Sequence, residues 1–374
     1  MSKKFLITLK PIDKFFFGGD MTFAVSSPED VNNKKQQNER YSSYIIKSRH
    51  LPQQTSLLGM LRFLILSNSP FFKDGKIVDK KEASKLIGPQ SFMVLQEGAG
   101  TFGQIEEVGA CFLINKFDKD NIVFYSFAPF DSEYICRESD KFGVVNGLEI
   151  QLPNLTGYNA KDGYTVRIKG SDDKYVTFSD IFVEDRRLGI DRNIISGKTD
   201  DSSLFKQISY RFNDFSKDGD TGAKKKIADW HFAFYVTVKD ECNISEYDGS
   251  IVSVGGDNSQ FVLRVNENIG DIRPQLFGRN AEKVVLQSPT YIERKDLSGV
   301  TFFITQIIPF RFMQTTVNNT VDYTLRAGYQ RSCRYELYAP GSVFYFRNNL
   351  AANDFKKVLD SYKAFRNIGY NEYK

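Results

Sequence analysis

The segment from Tyr44 to Leu66, YIIKSRHLPQQTSLLGMLRFLIL, constrains the fold of this chain more than any other stretch. Pro52 favours an extended approach, and Thr55 or Ser56 is predicted to cap a helix by accepting a backbone N–H bond. The residues that follow are apolar on nearly every side of a helix, so we expect this helix to lie in a core. The rest of the chain is therefore expected to pack around it.

One stripe of this helix differs from the rest. Thr55, Gly59 and Arg62 follow one another at helical spacing and lead toward the helix N-terminus. Free N–H groups and the helix dipole attract anions at such an end. Three further side chains on the incoming segment can add to this attraction: Lys47, Arg49 and His50. The segment predicts a phosphate-binding corner, and the alternative is a capped core helix with a solvated Arg62.

Composition narrows the class of protein. The chain has 374 residues, enough for about two domains, and its 41% hydrophobic and 26% charged residues exclude a largely disordered protein. The 33 Phe and 19 Tyr are unusually many; such residues favour strands and offer flat faces to unpaired bases. A net charge of +4 is too small by itself to indicate that the protein binds nucleic acid, so only a local cluster of basic residues could indicate such binding. The clearest cluster runs from residue 34 to residue 49.

The cysteines and histidines do not predict a metal site or a cofactor. The four cysteines lie far apart, without CxxC or metal-ligand spacing, and only two histidines accompany them. Isolated thiols are typical of a reducing cytoplasm, where we expect the protein, although two disulfides are an alternative. We expect neither an export signal nor a membrane-spanning helix, because charged residues interrupt each apolar run.

Strand and helix patterns predict an α+β fold. Alternating apolar residues indicate strands in KFLITLK at the start and in DWHFAFYVTV, where a second set begins. Each half carries strands and a helix of similar extent, which predicts two related units. We place them at 1–205, with an insertion of small strands and loops at about 132–200, and at 206–374.

The tripeptide GGD occurs at Gly18 to Asp20 and again at Gly255 to Asp257. Palm-type polymerases and cyclases use GGDD or GGDE, where adjacent carboxylates hold metal ions on a triphosphate. The next residue here is Met21 in one copy and Asn258 in the other, and a lone carboxylate would hold Mg²⁺ poorly. A turn that requires glycine is the preferred interpretation.

Two charged segments leave alternatives open. EDRRLGIDR, from Glu184 to Arg192, balances three acidic against three basic residues, so it predicts either a surface salt-bridge ribbon or an RNA contact. A later cluster alternates aromatic and basic residues: Tyr329, Arg331, Arg334 and Tyr335. This alternation is typical of a groove for single-stranded RNA, and an exposed strand would have the same pattern.

Six segments, in this order, resemble landmarks of the RAMP superfamily of CRISPR effector proteins: PIDKFFFGGDMTF, LPQQTSLLGMLR, EDRRLGIDRNIISGKTDDSSLF, VSVGGDNSQF, YAPGSVFYF and FRNIGYN. The resemblance extends over most of the chain and is closest to subunit three of the type III-B Cmr complex. The equivalent subunit of type III-A complexes would share the fold and the role.

The resemblance implies two ferredoxin-like (RRM-like) domains with β-hairpin and loop insertions. It also implies a non-catalytic subunit that holds the single-stranded 5′ repeat-derived tag of the crRNA in antiviral defence. Its partners would be the large polymerase-like subunit and the backbone RAMP subunits. In the family the EDRR region resembles a thumb-like hairpin, in which Gly189 would provide a turn that points Arg187 and Arg192 the same way. The predicted RNA-binding residues are Phe17, Gly18, Lys47, Arg49, His50, Thr55, Ser56, Gly59, Arg62, Arg187, Gly189, Arg192, Tyr329, Arg331 and Arg334.

His50 raises the alternative of catalysis. The family usually has a tryptophan in the segment before LP, and other RAMP proteins use a histidine as general base to cleave guide precursors. His50 could activate a ribose 2′-hydroxyl in this way. Cleavage also needs a group that protonates the leaving oxygen, and Arg49 gives up a proton with difficulty. We therefore expect His50 to stack or to form hydrogen bonds, and a guide-processing endoribonuclease is the second hypothesis.

Overall fold

The structure is a computed structural model of the whole chain. It describes residues 2–19, 21–23, 44–94, 102–118, 121–132, 136–137, 142–145, 148–151, 154–155, 161, 166–192, 199–217, 223–267, 283–315 and 330–374. Within these residues the fold is mixed α+β with far more strand than helix, as predicted for its class.

The elements of the first part of the chain are β1 Ser2–Pro11, β2 Met21–Phe23, β3 Tyr44–Lys47, α1 Gln54–Ser67, β4 Phe72–Lys73, β5 Lys76–Ile77, α2 Lys80–Ile87, β6 Ile105–Val108, β7 Phe112–Asn115, β8 Val123–Phe127, β9 Cys136–Arg137, β10 Phe142–Val145, β11 Leu148–Gln151, β12 Asn154–Leu155, β13 Arg167–Gly170, β14 Tyr175–Thr177, α3 Phe178–Ile181, β15 Phe182–Arg192 and β16 Thr199–Phe212.

The elements of the second part are β17 Phe215–Lys217, β18 Lys224–Lys226, β19 Trp230–Lys239, β20 Ile251–Ser253, β21 Gln260–Asn266, β22 Lys283–Val285, β23 Val300–Ile304, β24 Ile307–Phe310, β25 Met313–Gln314, β26 Gln330–Arg331, β27 Tyr335–Tyr338, β28 Val343–Phe346, α4 Asn349–Ser361 and α5 Lys363–Arg366. Single 3-10 turns form at Ile244–Tyr247 and Arg294–Leu297.

A large sheet runs in the order β14-β13-β8-β7-β19-β1-β21-β20, and β6 pairs with β19 beside β7. β1 lies between β19 and β21 and is antiparallel to both. The strand at 230–239 was predicted to open the second unit, but in the structure it pairs with β1 over most of its length. This sheet therefore joins strands from both predicted units, and the division at residue 205 stays a prediction.

A smaller sheet, β22-β28-β23, packs against α4. Their shared core contains Val284, Phe344, Phe355 and Leu359, each less than 5% exposed. A further sheet has the order β15-β16-β3-β2, in which β16 and β3 are parallel. It places the long β15–β16 hairpin beside β3, the strand that leads into α1.

Helix α1 lies in the core, as its apolar residues predict. Leu57, Leu61 and Leu66 are fully buried, and the helix contacts α2, β6 and β20. The predicted cap is wrong: the N-cap residue is Gln53, and no side chain bonds to the first turn as a cap. Gln53 has an extended backbone, with φ −68° and ψ 143°, and the helix starts at Gln54, one residue before Thr55.

The aromatic residues mainly build the core. Phe17 is 8% exposed, and its ring centroid lies 4.7 Å from that of Phe15, 5.4 Å from Phe232 and 5.8 Å from Phe261. Phe17 was predicted to be an RNA-binding residue, but its ring is packed between protein rings and is not available to stack on a base.

The second GGD segment lies against Phe16, two residues before the first GGD segment, in an isolated β-bridge. The N–H of Gly256 donates to the carbonyl oxygen of Phe16 at 2.7 Å. Gly255 has a φ of +90°, and a Cβ there would lie 2.4 Å from that same oxygen. The side chain of Asp257 accepts a hydrogen bond from Gln207. Close backbone approach thus explains the second glycine pair, in agreement with the preferred interpretation.

Candidate nucleic-acid interface

A groove of about 430 Å³ opens between α1 and the β25–β26 pair. From α1 and the residue before its first turn, it is lined by Gln53, Thr55, Ser56, Leu58, Gly59, Met60, Arg62 and Phe63. The opposite side contributes Ile87, Ser91, Phe92, Ser253, Arg311, Phe312, Met313, Thr315 and Arg331. We call this site the arginine groove.

The arginine groove is positively charged. Arg62, Arg311 and Arg331 line it, and among the described residues of its lining none is Asp or Glu. Hydroxyl groups of Thr55 and Ser56 lie along the same wall. Arginines and hydroxyls are the donors that contact phosphate and sugar oxygens in nucleic-acid complexes. The predicted stripe of Thr55, Gly59 and Arg62 therefore lies in one groove with Arg331 from the predicted late cluster.

Arg62 is not solvated. Its side chain is 7% exposed, and its Nε donates to the carbonyl oxygen of Ile87 at 2.7 Å. Nη2 lies 3.4 Å from the carbonyl oxygen of Gly88, just past the end of α2. Arg62 thus satisfies carbonyls at the C-terminus of α2 and contributes a buried positive charge to the wall of the groove. The alternative of a solvated Arg62 is wrong.

The N-terminus of α1 is covered on its buried side by the C-terminal segment. Nε2 of Gln54 donates to the carbonyl oxygens of Gly109 and Ile368 at 2.8 and 2.9 Å. Gly369 has a φ of +83°, and a Cβ there would lie 2.1 Å from Nε2 of Gln54. Tyr370 is 1% exposed beside this turn, and burial raises the pKa of its phenol. Only the side of the turn that carries Thr55 and Ser56 faces the groove.

The predicted basic corner lies in a second cavity of about 500 Å³, next to the groove. Lys47, Arg49 and His50 line it, and Gln53 lines both spaces. The N–H of Arg49 donates to the carbonyl oxygen of Gly18 at 2.9 Å, and Nη2 donates to that of Pro309 at 2.6 Å. Arg49 therefore ties the segment before α1 to β24, which is a different role from the predicted phosphate contact.

Lys47 forms an ion pair. Its Nζ lies 2.8 Å from Oε1 of Glu184, and the side chain is 52% exposed. The hydrogen bond to Glu184 raises the pKa of Lys47, and burial opposes this shift in part. Its ammonium also lies 5.9 Å from the ring centroid of Tyr210. A phosphate at this position would compete with the carboxylate of Glu184.

His50 is packed among aromatic rings of the protein itself. Its ring centroid lies 4.4 Å from that of Tyr210, 4.7 Å from Phe178 and 5.1 Å from Phe182. Burial, supplemented by the charge of Lys47, lowers the pKa of His50 to about 4. The imidazole is therefore neutral at pH 7 and a weak base, whereas a general base works best with a pKa near the operating pH.

The β15–β16 hairpin carries paired surface charges. Glu184 accepts from Arg186 at 2.8 and 3.0 Å, and Asp185 lies 3.1 Å from Nζ of Lys14 and 3.8 Å from Nε of Arg187. These contacts agree with the salt-bridge ribbon, whose exposed pairs contribute little stability. Arg187 lines neither cavity, and its contact with RNA stays a prediction.

Gly189 does not form a turn. It lies within β15 opposite Phe205, and the strand continues to Arg192. A Cβ at Gly189 would lie 2.1 Å from Cζ of Phe205, so the glycine makes room for this ring. The predicted role of Gly189 in turning the hairpin is wrong, and its neighbours Arg187 and Leu188 point to opposite faces of the strand.

The late cluster is only partly assembled in the groove. Arg331 lines the groove, whereas Arg334 is exposed outside it, and Tyr329 lies outside the described residues. Arg311 was missed. Phe310 and Phe312 on either side of it are buried, and side chains alternate in direction along extended chain, so this alternation of apolar and charged residues indicated that Arg311 points away from the core.

Across the described ranges, no three His, Cys, Asp or Glu side chains come together as a metal site. No described helix is long and apolar enough to cross a membrane. The thiols of Cys111, Cys242 and Cys333 are free.

Two solved structures resemble the fold. One is a chain of the type III-B Cmr-beta complex bound to cognate target RNA, with 15% identity and a TM-score of 0.52 over 99% of this chain and 96% of that chain. The other is a chain of the same kind of complex bound to cognate target RNA and AMPPnP, with 13% identity and a TM-score of 0.50 over 98% and 95% of the two chains. At these identities the likeness concerns the fold alone.

The family is shown by the sequence. No curated protein matches this sequence. Residues 150–373 match the model of the CRISPR-associated protein family Cas_Cmr3, and these residues are more than half of the chain. The resemblance to subunit three of the type III-B Cmr complex, predicted from the order of six segments, is thereby confirmed. The chain belongs to the Cas_Cmr3 family of CRISPR-associated proteins.

Proposed function

We propose that this protein is a non-catalytic RNA-binding subunit of a type III-B CRISPR effector complex, and that it holds the single-stranded 5′ tag of the crRNA. The observation that carries the proposal is the arginine groove, which Arg62, Arg311 and Arg331 line together and whose described lining contains no Asp or Glu. A surface of this kind attracts the phosphates of a nucleic acid.

The arrangement of the three arginines suits a backbone contact. Arg311 and Arg331 are exposed, so their guanidinium groups can turn toward a phosphate, whereas Arg62 is held by the end of α2. Gly59 is exposed on α1 in the same groove, and apart from the backbone of its own helix no described atom lies within 4 Å of the place where its Cβ would be. A ribose-phosphate backbone could therefore approach the helix closely.

Partners and domains form part of the same proposal. The family and the fold similarity to Cmr-beta chains support assembly with the large polymerase-like subunit and with backbone RAMP subunits. We also retain the two ferredoxin-like domains as a proposal, with the β22-β28-β23 sheet and α4 in the second of them. The division into domains needs limited proteolysis of the purified chain as its test.

The experiment measures binding of a labelled repeat-tag oligonucleotide across a salt titration. Arg311→Gln with Arg331→Gln removes the two exposed charges of the groove. If each contacts one phosphate of a single strand, the slope of log affinity against log salt should become shallower by about 1.4. Arg294→Gln with Arg347→Gln is the matched control, because both residues are exposed and lie outside the groove.

The control should keep the wild-type slope. Equal salt slopes for wild type, groove variant and control would mean that RNA binds elsewhere or not at all. That result would refute the proposal.

A guide-processing endoribonuclease that uses His50 is the second candidate, because His50 lines a cavity together with Lys47. Against it, burial lowers the pKa of His50 to about 4 and aromatic rings surround the imidazole. Incubating the purified protein with a repeat transcript in EDTA distinguishes the two functions. We expect intact RNA, and site-specific cleavage that His50→Phe abolishes would favour the nuclease.

A further inference from the structure

The paired strands β17 and β18 form a basic surface outside both cavities. Phe215 pairs with Lys226, and Ser216 pairs with Lys225. Lys224, Lys225 and Lys226 are all exposed, and the side chain of Phe215 is 54% exposed. We call this pair of strands the lysine ribbon.

One face of the lysine ribbon carries an aromatic ring together with two charges. Residues that lie opposite one another in an antiparallel pair point to the same side, and side chains alternate along each strand. Phe215 therefore shares a face with Lys226, its partner, and with Lys224, two residues before that partner. A ring beside ammonium groups is typical of surfaces that hold single-stranded nucleic acid, because bases stack on the ring while the cations contact phosphates.

The carboxylates at the base of the ribbon are engaged by Lys10. Oδ2 of Asp214 lies 2.6 Å from Nζ of Lys10, and Oδ1 of Asp229 lies 2.9 Å from the same atom. Asp229 also lies 3.3 Å from Nζ of Lys226, whose side chain is exposed, so a phosphate can replace this pair at little cost in stability. Within the described part of the chain, Lys224 forms no ion pair.

The lysine ribbon and the arginine groove flank the same end of β1. Lys10, near the end of β1, contacts Asp214 at the base of the ribbon. Two residues further on, the N–H of Ile12 donates to the carbonyl oxygen of Gln260 at 3.0 Å, and Gln260 pairs with Ser253, which lines the groove. Two strand spacings of about 4.8 Å and the length of the Lys10 side chain put the ribbon roughly 20 Å from the groove. About six stacked nucleotides, at about 3.4 Å each, span this distance.

We propose that the lysine ribbon is a second contact for the RNA strand that occupies the arginine groove. Phe215 stacks on one unpaired base, and Lys224 and Lys226 contact the phosphates on either side of it. This inference rests on the proposed function and extends the RNA footprint from the groove across the end of β1.

The ring and the position of the ribbon select RNA over an acidic protein segment. Charge alone does not, because the sequence places Asp218 and Asp220 between the two strands, outside the described residues. An acidic segment would pair with the lysines without needing a flat aromatic face between them, whereas single-stranded RNA uses both.

The test compares a short and a long RNA. The probes are fluorescein-labelled oligouridines of about four and about fourteen nucleotides; only the longer one can reach both sites. Lys224→Gln with Lys226→Gln should make the slope of log affinity against log salt shallower by about 1.4 for the longer probe, because two phosphate contacts of a single strand are lost. Affinity for the shorter probe, measured at low salt, should change by no more than about twofold, because this probe still binds in the groove.

Phe215→Leu tests the stacking contact. It keeps an apolar side chain but removes the flat face, so it should weaken binding of the longer probe by about fivefold or more. The melting temperature should stay the same, because the ring is exposed. Phe303→Leu is its matched control, because Phe303 is 47% exposed on β23 and lies outside both sites.

Lys81→Gln with Lys357→Gln is the control for the lost charges. Both residues are exposed and lie outside the groove and the ribbon. Lys357 pairs with an aspartate three residues away, as Lys226 does. This control should keep the wild-type affinity and salt slope for both probes.

Several outcomes would overturn the inference. If Arg311→Gln with Arg331→Gln weakens binding but the ribbon variants bind the longer probe as the wild type does, the RNA does not extend beyond the groove. Equal losses for the two probes would mean that the ribbon does not continue the path of the strand in the groove. Unchanged RNA affinity with loss of assembly into the effector complex would assign the ribbon to an acidic protein partner. If the groove variant has no effect, the proposed function fails first.

Discussion

Replacing His50 by Phe should make the protein less sensitive to acid. Burial lowers the pKa of His50 from 6.5 to about 4, so the unfolded chain takes up a proton at a higher pH than the folded protein does. The free energy of unfolding therefore falls as the pH drops below 6.5, and this loss ends near pH 4. Phe has a similar size and fits among the rings of Tyr210, Phe178 and Phe182.

The magnitude follows from the two pKa values. Between pH 8 and pH 5, proton uptake by the unfolded state at one such histidine lowers the free energy of unfolding by about 2 kcal/mol. His50→Phe should lack this contribution. His231 is also buried, with a pKa lowered to about 4, but it is present in both proteins and cancels from their difference.

The assay is urea unfolding at pH 8 and pH 5, followed by fluorescence of the single tryptophan, Trp230. From pH 8 to pH 5 the wild type should lose about 2 kcal/mol more than His50→Phe. An equal loss in both proteins would show that His50 titrates in the folded state as it does in the unfolded chain. The packing argument for a neutral imidazole would then be wrong.

Three further predictions concern stability, each measured as a change in urea midpoint or melting temperature. Arg62→Met should destabilise the protein by about 1 to 3 kcal/mol, because the buried carbonyls at the end of α2 lose their donor, while Arg311→Met at the exposed groove wall should change little. Gly255→Ala should cost roughly 2 kcal/mol or more, because φ is +90° and the new Cβ would meet the Phe16 oxygen; equal stability would contradict this. Gly189→Val should displace the ring of Phe205 from β15, and a wild-type midpoint would show that the ring moves without cost.

The chemistry of neighbouring residues in the sequence was enough to predict several features of the fold. The run of Leu and Ile after Pro52 predicted a buried helix. α1 is buried because apolar residues occupy nearly every side of it, so it has no wide polar face that could lie in water. The second glycine pair was correctly assigned to backbone geometry, since Gly255 has a φ of +90° and lies against the carbonyl oxygen of Phe16. The order of the six segments predicted the family, and the match over residues 150–373 confirms it.

Spacing along the chain did not predict which basic residues share a surface. Lys47 and Arg49 precede Thr55 by only a few residues, yet they line a different cavity, because the extended chain at Pro52 and Gln53 separates them from the helix face. Arg331 is far away in sequence, but its strand pairs with β25 and so reaches the groove beside α1.

The sequence by itself determined the buried helix, the α+β class and the family of this protein. Only the tertiary structure decided that Phe17 and His50 pack against protein rings, and that Phe63 and Arg311 face the groove. The physical reason is that periodicity predicts which face of one element is buried, whereas a site forms where faces of several elements meet. That meeting depends on pairings between distant strands, which local residue patterns do not specify.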